Sequence, residues 1–167
     1  MDIQFENIKD MDTLKSYIAS IKDNLSEDEY ELVLYASGLL ENRGISEEIE
    51  LQGQQVRIDK YIAPMIIDLN KQGVITLACC SGLQVEHSST KFRPEAGYLA
   101  LEYNQHLLEY LQKSLRCSIV EVKKSTCYFQ PSISITLNTK DDQQLKQLWK
   151  LVWEALQGWQ GLGTLDI

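Results

Sequence analysis

Residues 69–82, Leu69-Asn70-Lys71-Gln72-Gly73-Val74-Ile75-Thr76-Leu77-Ala78-Cys79-Cys80-Ser81-Gly82, hold the change of period on which the fold turns. Up to Leu69 the apolar positions Ile58, Ile62, Met65, Ile66 and Leu69 have the spacing of one helix face. Asn70-Lys71-Gln72-Gly73 supplies a helix stop. Val74 to Cys80 is short, apolar and β-branched at its start, which predicts a strand. Pro64 removes a backbone donor, so the helix either starts near Ala63 or is kinked there.

On the C-terminal side, a seventeen-residue polar stretch leads to a second strand at Tyr98 to Tyr103. Asn104 can cap a helix carrying Leu107, Leu108, Leu111 and Leu115. Cys117 to Lys123 and Ser132 to Asn138 read as two further strands, and Leu145, Leu148, Trp149, Val152 and Leu156 mark a final helix. On the N-terminal side, Met11, Leu14, Ile18, Ile21 and Leu25 form one helical stripe. Ser26 before Glu27, Asp28 and Glu29 opens a second helix, with its stop at Asn42-Arg43-Gly44. Ile45 to Val56 is expected to be an irregular linker.

The order is two acidic helices followed by α-β-β-α-β-β-α. It predicts an α+β fold: a two-layer sandwich of a four-stranded, mainly antiparallel sheet with helices on one face, preceded by an acidic N-terminal helical hairpin. The expected parts are a hairpin over 1–44 and a core over 56–167, within one compact domain. Strand alternation puts Ile75, Leu77 and Cys79 on the side of Ile133, Ile135 and Leu137. Thr76, Ala78 and Cys80 then share a hydroxyl-rich face with Ser132, Ser134, Thr136 and Asn138. Water or the acidic hairpin is expected to cover that face.

Composition narrows the function classes. The 167 residues are 44% apolar, enough for one compact core, and no apolar run reaches the ~20 residues of a bilayer span. The start MDIQFENIKDMD has no signal-peptide core, and four cysteines without secreted-scaffold spacing predict reduced thiols in the cytoplasm. Of the net charge of -8, residues 1–50 contribute thirteen acids against four bases. Beyond Lys123-Lys124 there is no Lys/Arg cluster, which argues against extended nucleic-acid binding. A small anionic ligand needs only two or three donors.

Those donors gather after the first core strand. Gly82 can turn the backbone with its amides facing a ligand, and His87, Ser88, Ser89, Thr90, Lys91 and Arg93 add hydroxyls and cations suited to phosphate or carboxylate. Thr76, Cys80, Ser81 and Tyr98 complete the expected ligand-binding set, Tyr98 as a ring that could stack. Cys79 belongs with the apolar side; Cys80 faces the other way, and with His87 as base it is the candidate nucleophile or redox centre. Adjacent cysteines point oppositely in a strand and no C-x-x-C or H-x-x-x-H spacing occurs, so no metal site is expected. His106 is expected at the surface, Trp149, Trp153 and Trp159 in core packing or a homo-oligomer contact, and Asp141-Asp142 as solvated helix-start charges.

Thr76, Cys80, Ser81 and Gly82 carry a resemblance to a known family. The stretch resembles the T-x-S-C-S-G-R segment of the wybutosine-synthesis tRNA methyltransferases, with Cys79 where that family has serine, Leu83 where it has arginine, and one residue more between Thr76 and Cys80. The resemblance implies a related fold. It also implies S-adenosylmethionine as cofactor, tRNA as partner, and Cys80, Ser81 and His87 near the transfer site. The residues themselves favour a non-catalytic or weakly catalytic protein that binds a small anionic, nucleotide-like ligand and sequesters or senses it, with no cofactor. A methyltransferase and a protein-interaction module are the alternatives.

Overall fold

The structure, a computed structural model, describes residues 8–37, 39, 45–88 and 94–159. The chain divides into two compact units: Met1–Arg43 with Tyr128–Gln130, and Gly44–Cys127 with Pro131–Ile167. In the first unit, α1 (Met11–Ile21) starts where the Asp10 carboxylate accepts the Thr13 amide at 2.7 Å. A 3-10 turn (Lys22–Asn24) leads to α2 (Glu27–Ala36). Ser26 and Glu29 form a reciprocal capping box there, each side chain accepting the other's amide at 3.1 Å. The expected stop at Asn42-Arg43-Gly44 lies outside the described residues.

The second unit opens with a feature absent from the sequence reading. The expected linker is a two-stranded antiparallel hairpin, β1 (Ser46–Leu51) and β2 (Gln54–Asp59). Its two-residue turn puts Gln52 and Gly53 at positive φ, 52° and 78°, the twist that suits a tight hairpin. Ile49 and Ile58 join the core, whereas Glu48, Glu50 and Arg57 do not. Ile58 therefore belongs to a strand, and its helical spacing from Ile62 crosses an element boundary. Helix α3 (Ala63–Lys71) begins at Ala63 with Pro64 in its first turn, where the missing amide costs nothing.

The main sheet has strand order β3-β4-β6-β5, with β3 (Thr76–Cys80), β4 (Gly97–Glu102), β5 (Val120–Cys127) and β6 (Gln130–Leu137), and its β3–β4 and β4–β6 pairs are antiparallel. Lys123 and Lys124 lie inside β5 rather than at its end. Leu99, Leu101, Ile133, Ile135 and Leu137 are fully buried on one face, against α3, α4 (Gln105–Ser114) and α5 (Asp142–Gln157). That is an α+β architecture with its helices gathered on one side of the sheet.

On the other face the register pairs Cys80 with Tyr98, Tyr98 with Thr136, Ala100 with Ser134 and Glu102 with Ser132. Ser132 and Ser134 are buried. Among the described residues no helix is long and apolar enough to cross a membrane.

Candidate functional site

Where β3 ends, three side chains from separate parts of the second unit converge. Asp59 is the last residue of β2, Cys80 the last of β3, and His87 sits in the turn that follows. His87 Nε2 lies 3.1 Å from Asp59 Oδ2 and 3.7 Å from Cys80 Sγ. The three donor atoms all fall within 4.8 Å of one another. Asp59 and His87 are 4% and 5% exposed, whereas Cys80 is only partly buried.

The charges of this cluster are set by its contacts. Burial alone would hold the Asp59 carboxyl up, but the His87 and Ser81 hydrogen bonds and the His87 charge outweigh it and leave the acid below its ordinary range. Burial likewise pulls His87 down, yet the hydrogen bonds to Asp59 and Cys80, with the charges of both, push it up to about 10. Both shifts favour the charged forms, a carboxylate facing an imidazolium.

Ser81 explains how the site is held. Its amide donates to Asp59 Oδ2 at 2.7 Å, its hydroxyl accepts the Leu83 amide at 3.2 Å, and its carbonyl accepts Trp149 Nε1–H at 2.7 Å. The anion that the Ser81 amide meets is the protein's own Asp59. Gly82 turns the chain at φ +74°, and a side chain there would overlap the backbone of Ala96 and Gly97. Ser81 and Gly82 thus build the site from inside.

The described part of the following loop is firmly tied. Asp142 accepts the Gln84 amide at 2.7 Å and the Val85 amide at 3.1 Å. Gln84 Nε2 reaches the carbonyls of Gly82 and Pro94, bridging the two arms of the loop. Glu86 is buried and accepts the Tyr61 amide at 3.0 Å, and its carbonyl accepts the Ile45 amide. Asp142 is therefore more than a solvated charge at a helix start. Asp142→Ala should free two amides, each costing about 1–3 kcal/mol when left unmet. The expected outcome is hydrogen exchange at Gln84 and Val85 faster by roughly tenfold or more, read by mass spectrometry, with β6 unchanged.

The structure brings Cys80, Ser81, Gly82 and His87 together and sets Tyr98, half-buried, opposite Cys80 in register. Thr76 stands at the other end of β3, about 13 Å along the strand, its amide and hydroxyl engaged by Asn70. Ser88 is exposed and donates to the Val85 carbonyl. Ser89, Thr90, Lys91 and Arg93 lie outside the described residues. Cys79 pairs with Leu99 and packs against the core, while His106 is exposed on α4. Trp149 is core, and Trp153 donates to Asp68.

Asp59, Glu86 and Trp149 are the site components that sequence reasoning did not assign. A lone aspartate in Arg57-Ile58-Asp59-Lys60 carries no motif; only recognising β2 as a strand ending beside β3 would have drawn attention to it. No protein-family model, curated protein or solved structure matches the chain.

Proposed function

We propose that this protein binds a small anionic, nucleotide-like ligand at the end of β3, beside Cys80, and sequesters or senses it. The observation that carries this reading is the enclosed Asp59–His87 pair, which opens to the outside through the partly buried Cys80. A buried charge pair is a weak contributor to stability, and such perturbed groups concentrate at functional sites. Tyr98 is cross-strand from Cys80 and would stack on a ring bound there. Lys91 and Arg93 would supply the cations that balance the ligand.

The chemistry favours binding over acid-base turnover. A nucleophilic cysteine relay uses one ring nitrogen toward the thiol and the other toward the orienting carboxylate. Here the thiol and the carboxylate both meet Nε2, so they compete for one proton.

The test is a thermal-shift screen of the purified chain against linear and cyclic nucleotides, ADP-ribose derivatives, S-adenosylmethionine and S-adenosylhomocysteine. A ligand at a hundred times its dissociation constant should stabilise by about 2.7 kcal/mol, a shift of several degrees. The expected result is a nucleotide-specific shift that is lost in Lys91→Ala/Arg93→Ala and weakened in Cys80→Ala. A flat panel, or a shift indifferent to both variants, overturns the reading. A shift with S-adenosylmethionine alone would favour the methyltransferase alternative.

A further inference from the structure

We propose that Asp59, Cys80 and His87 form a zinc site, an inference that stands apart from the ligand reading. Three metal-ligating groups of different kinds, one carboxylate, one thiol and one imidazole, each bring one ligand atom to within 4.8 Å of the others from three separate segments. Zn–N and Zn–O bonds of ~2.0 Å and a Zn–S bond of ~2.3 Å at tetrahedral angles give donor-to-donor edges of about 3.3–3.6 Å. The recorded edges are 3.1 Å between Nε2 and Oδ2 and 3.7 Å between Nε2 and Sγ. Those two edges lie within a few tenths of an ångström of the tetrahedral values, and the third, from the Asp59 carboxylate to Sγ, lies within 4.8 Å.

The feature that spoils a cysteine–histidine relay, thiol and carboxylate on the same ring nitrogen, is what a metal requires. On binding, the ion displaces the Nε2 proton of His87 and the thiol proton of Cys80 to solvent, and two competing hydrogen bonds give way to three bonds to one centre. The donor set selects among metals: thiolate with imidazole suits zinc, whereas magnesium and calcium take oxygen ligands. The surroundings also fit, because the Asp59 oxygen that would bind is already oriented by the Ser81 amide, as carboxylate ligands in metal sites are. Cys80, the least enclosed of the three, offers the way in. Three protein ligands leave a fourth position for water or for an oxygen of a bound anion.

Spacing along the sequence reveals only metal sites built from cysteine pairs and histidine pairs. A carboxylate 28 residues before the histidine, on another strand, is outside its reach.

The experiment uses the full chain, stripped with EDTA and returned to buffer, with cobalt and zinc chlorides as probes. One equivalent of cobalt should bring up a thiolate-to-cobalt charge-transfer band together with d–d bands of four-coordinate intensity, and one equivalent of zinc should abolish them. Cys80→Ser should lose the charge-transfer band. Asp59→Asn and His87→Gln should weaken zinc by roughly 100-fold or more, beyond the 10–100-fold that outer-shell changes cost.

A second readout needs no variant. Zinc should slow iodoacetamide labelling of Cys80 at least tenfold, mapped by mass spectrometry, while exposed Cys117 reacts as before. Absence of the band, its survival in Cys80→Ser, or zinc-independent labelling of Cys80 would each overturn the proposal. No organic ligand is present, so a flat nucleotide panel would count against the ligand reading alone, and absent cobalt bands against the metal alone.

Discussion

Replacing Gly82 with alanine is expected to destabilise the protein by roughly 2–5 kcal/mol, a fall in midpoint on the order of 10 °C. Two causes add. The residue holds φ +74°, where a Cβ costs ~1–2 kcal/mol, and that Cβ would lie 2.5 Å from the Gly97 nitrogen and 2.8 Å from the Ala96 carbonyl atoms. Those neighbours are backbone and cannot swing aside, and Gly97 is itself confined by Trp149 and Leu145. Gly73 is the control. It has φ +85° with nothing within 4 Å of its notional Cβ, so Gly73→Ala should cost only about 1 kcal/mol. Equal losses in the two variants, read by chemical denaturation, would show that the 82–97 contact is looser than described.

Asp59→Ala should cost the metal-free protein about 3–5 kcal/mol near neutral pH, because His87 loses the carboxylate that holds its proton and the Ser81 amide loses its acceptor together. Asp59→Asn keeps an acceptor for Ser81 but removes the charge, so it should recover part of the loss.

The pH dependence follows from the same pair. His87 is raised from an ordinary 6.5 to about 10, so its contribution is fully present below pH 6.5 and is lost as pH rises through about 10. Asp59 is lowered from an ordinary 3.8, so its contribution is present above that value and is lost as pH falls through the depressed one. In EDTA the wild type should lose stability on both the acid and the alkaline side, and Asp59→Asn should flatten both slopes. A wild-type midpoint that stays level from pH 6.5 to 10 would contradict the pairing.

Much of the architecture is legible in the chain because its periods are clean. The order from α3 to α5 follows from steps of three and four that give way to steps of two, with Asn104 a visible cap. The β1–β2 hairpin is hidden for a physical reason. Glu47, Glu48 and Glu50 surround Ile49, and the turn residues are Gln52 and Gly53 rather than a strong Asn-Gly signal. Ile58 then falls by chance at helical distance from Ile62.

With β2 hidden, Asp59 is hidden too, and with it the partner that gives His87 its character. Cys80 and His87 are conspicuous in sequence because they stand seven residues apart across a glycine turn. The internal use of Ser81 is not, since its three contacts come from Asp59, Leu83 and Trp149, two of them remote in the chain. Local chemistry identifies donors; which of them the fold consumes depends on tertiary neighbours.

The most direct test of the Asp59–Cys80–His87 cluster is an NMR titration of the His87 ring in the EDTA-treated protein. The expected result is a ring that remains protonated through neutral pH and titrates near 10, falling back toward 6.5 in Asp59→Asn. A His87 that titrates at 6.5 or below in the wild type would mean that the three side chains do not meet, and the site built on them would be wrong.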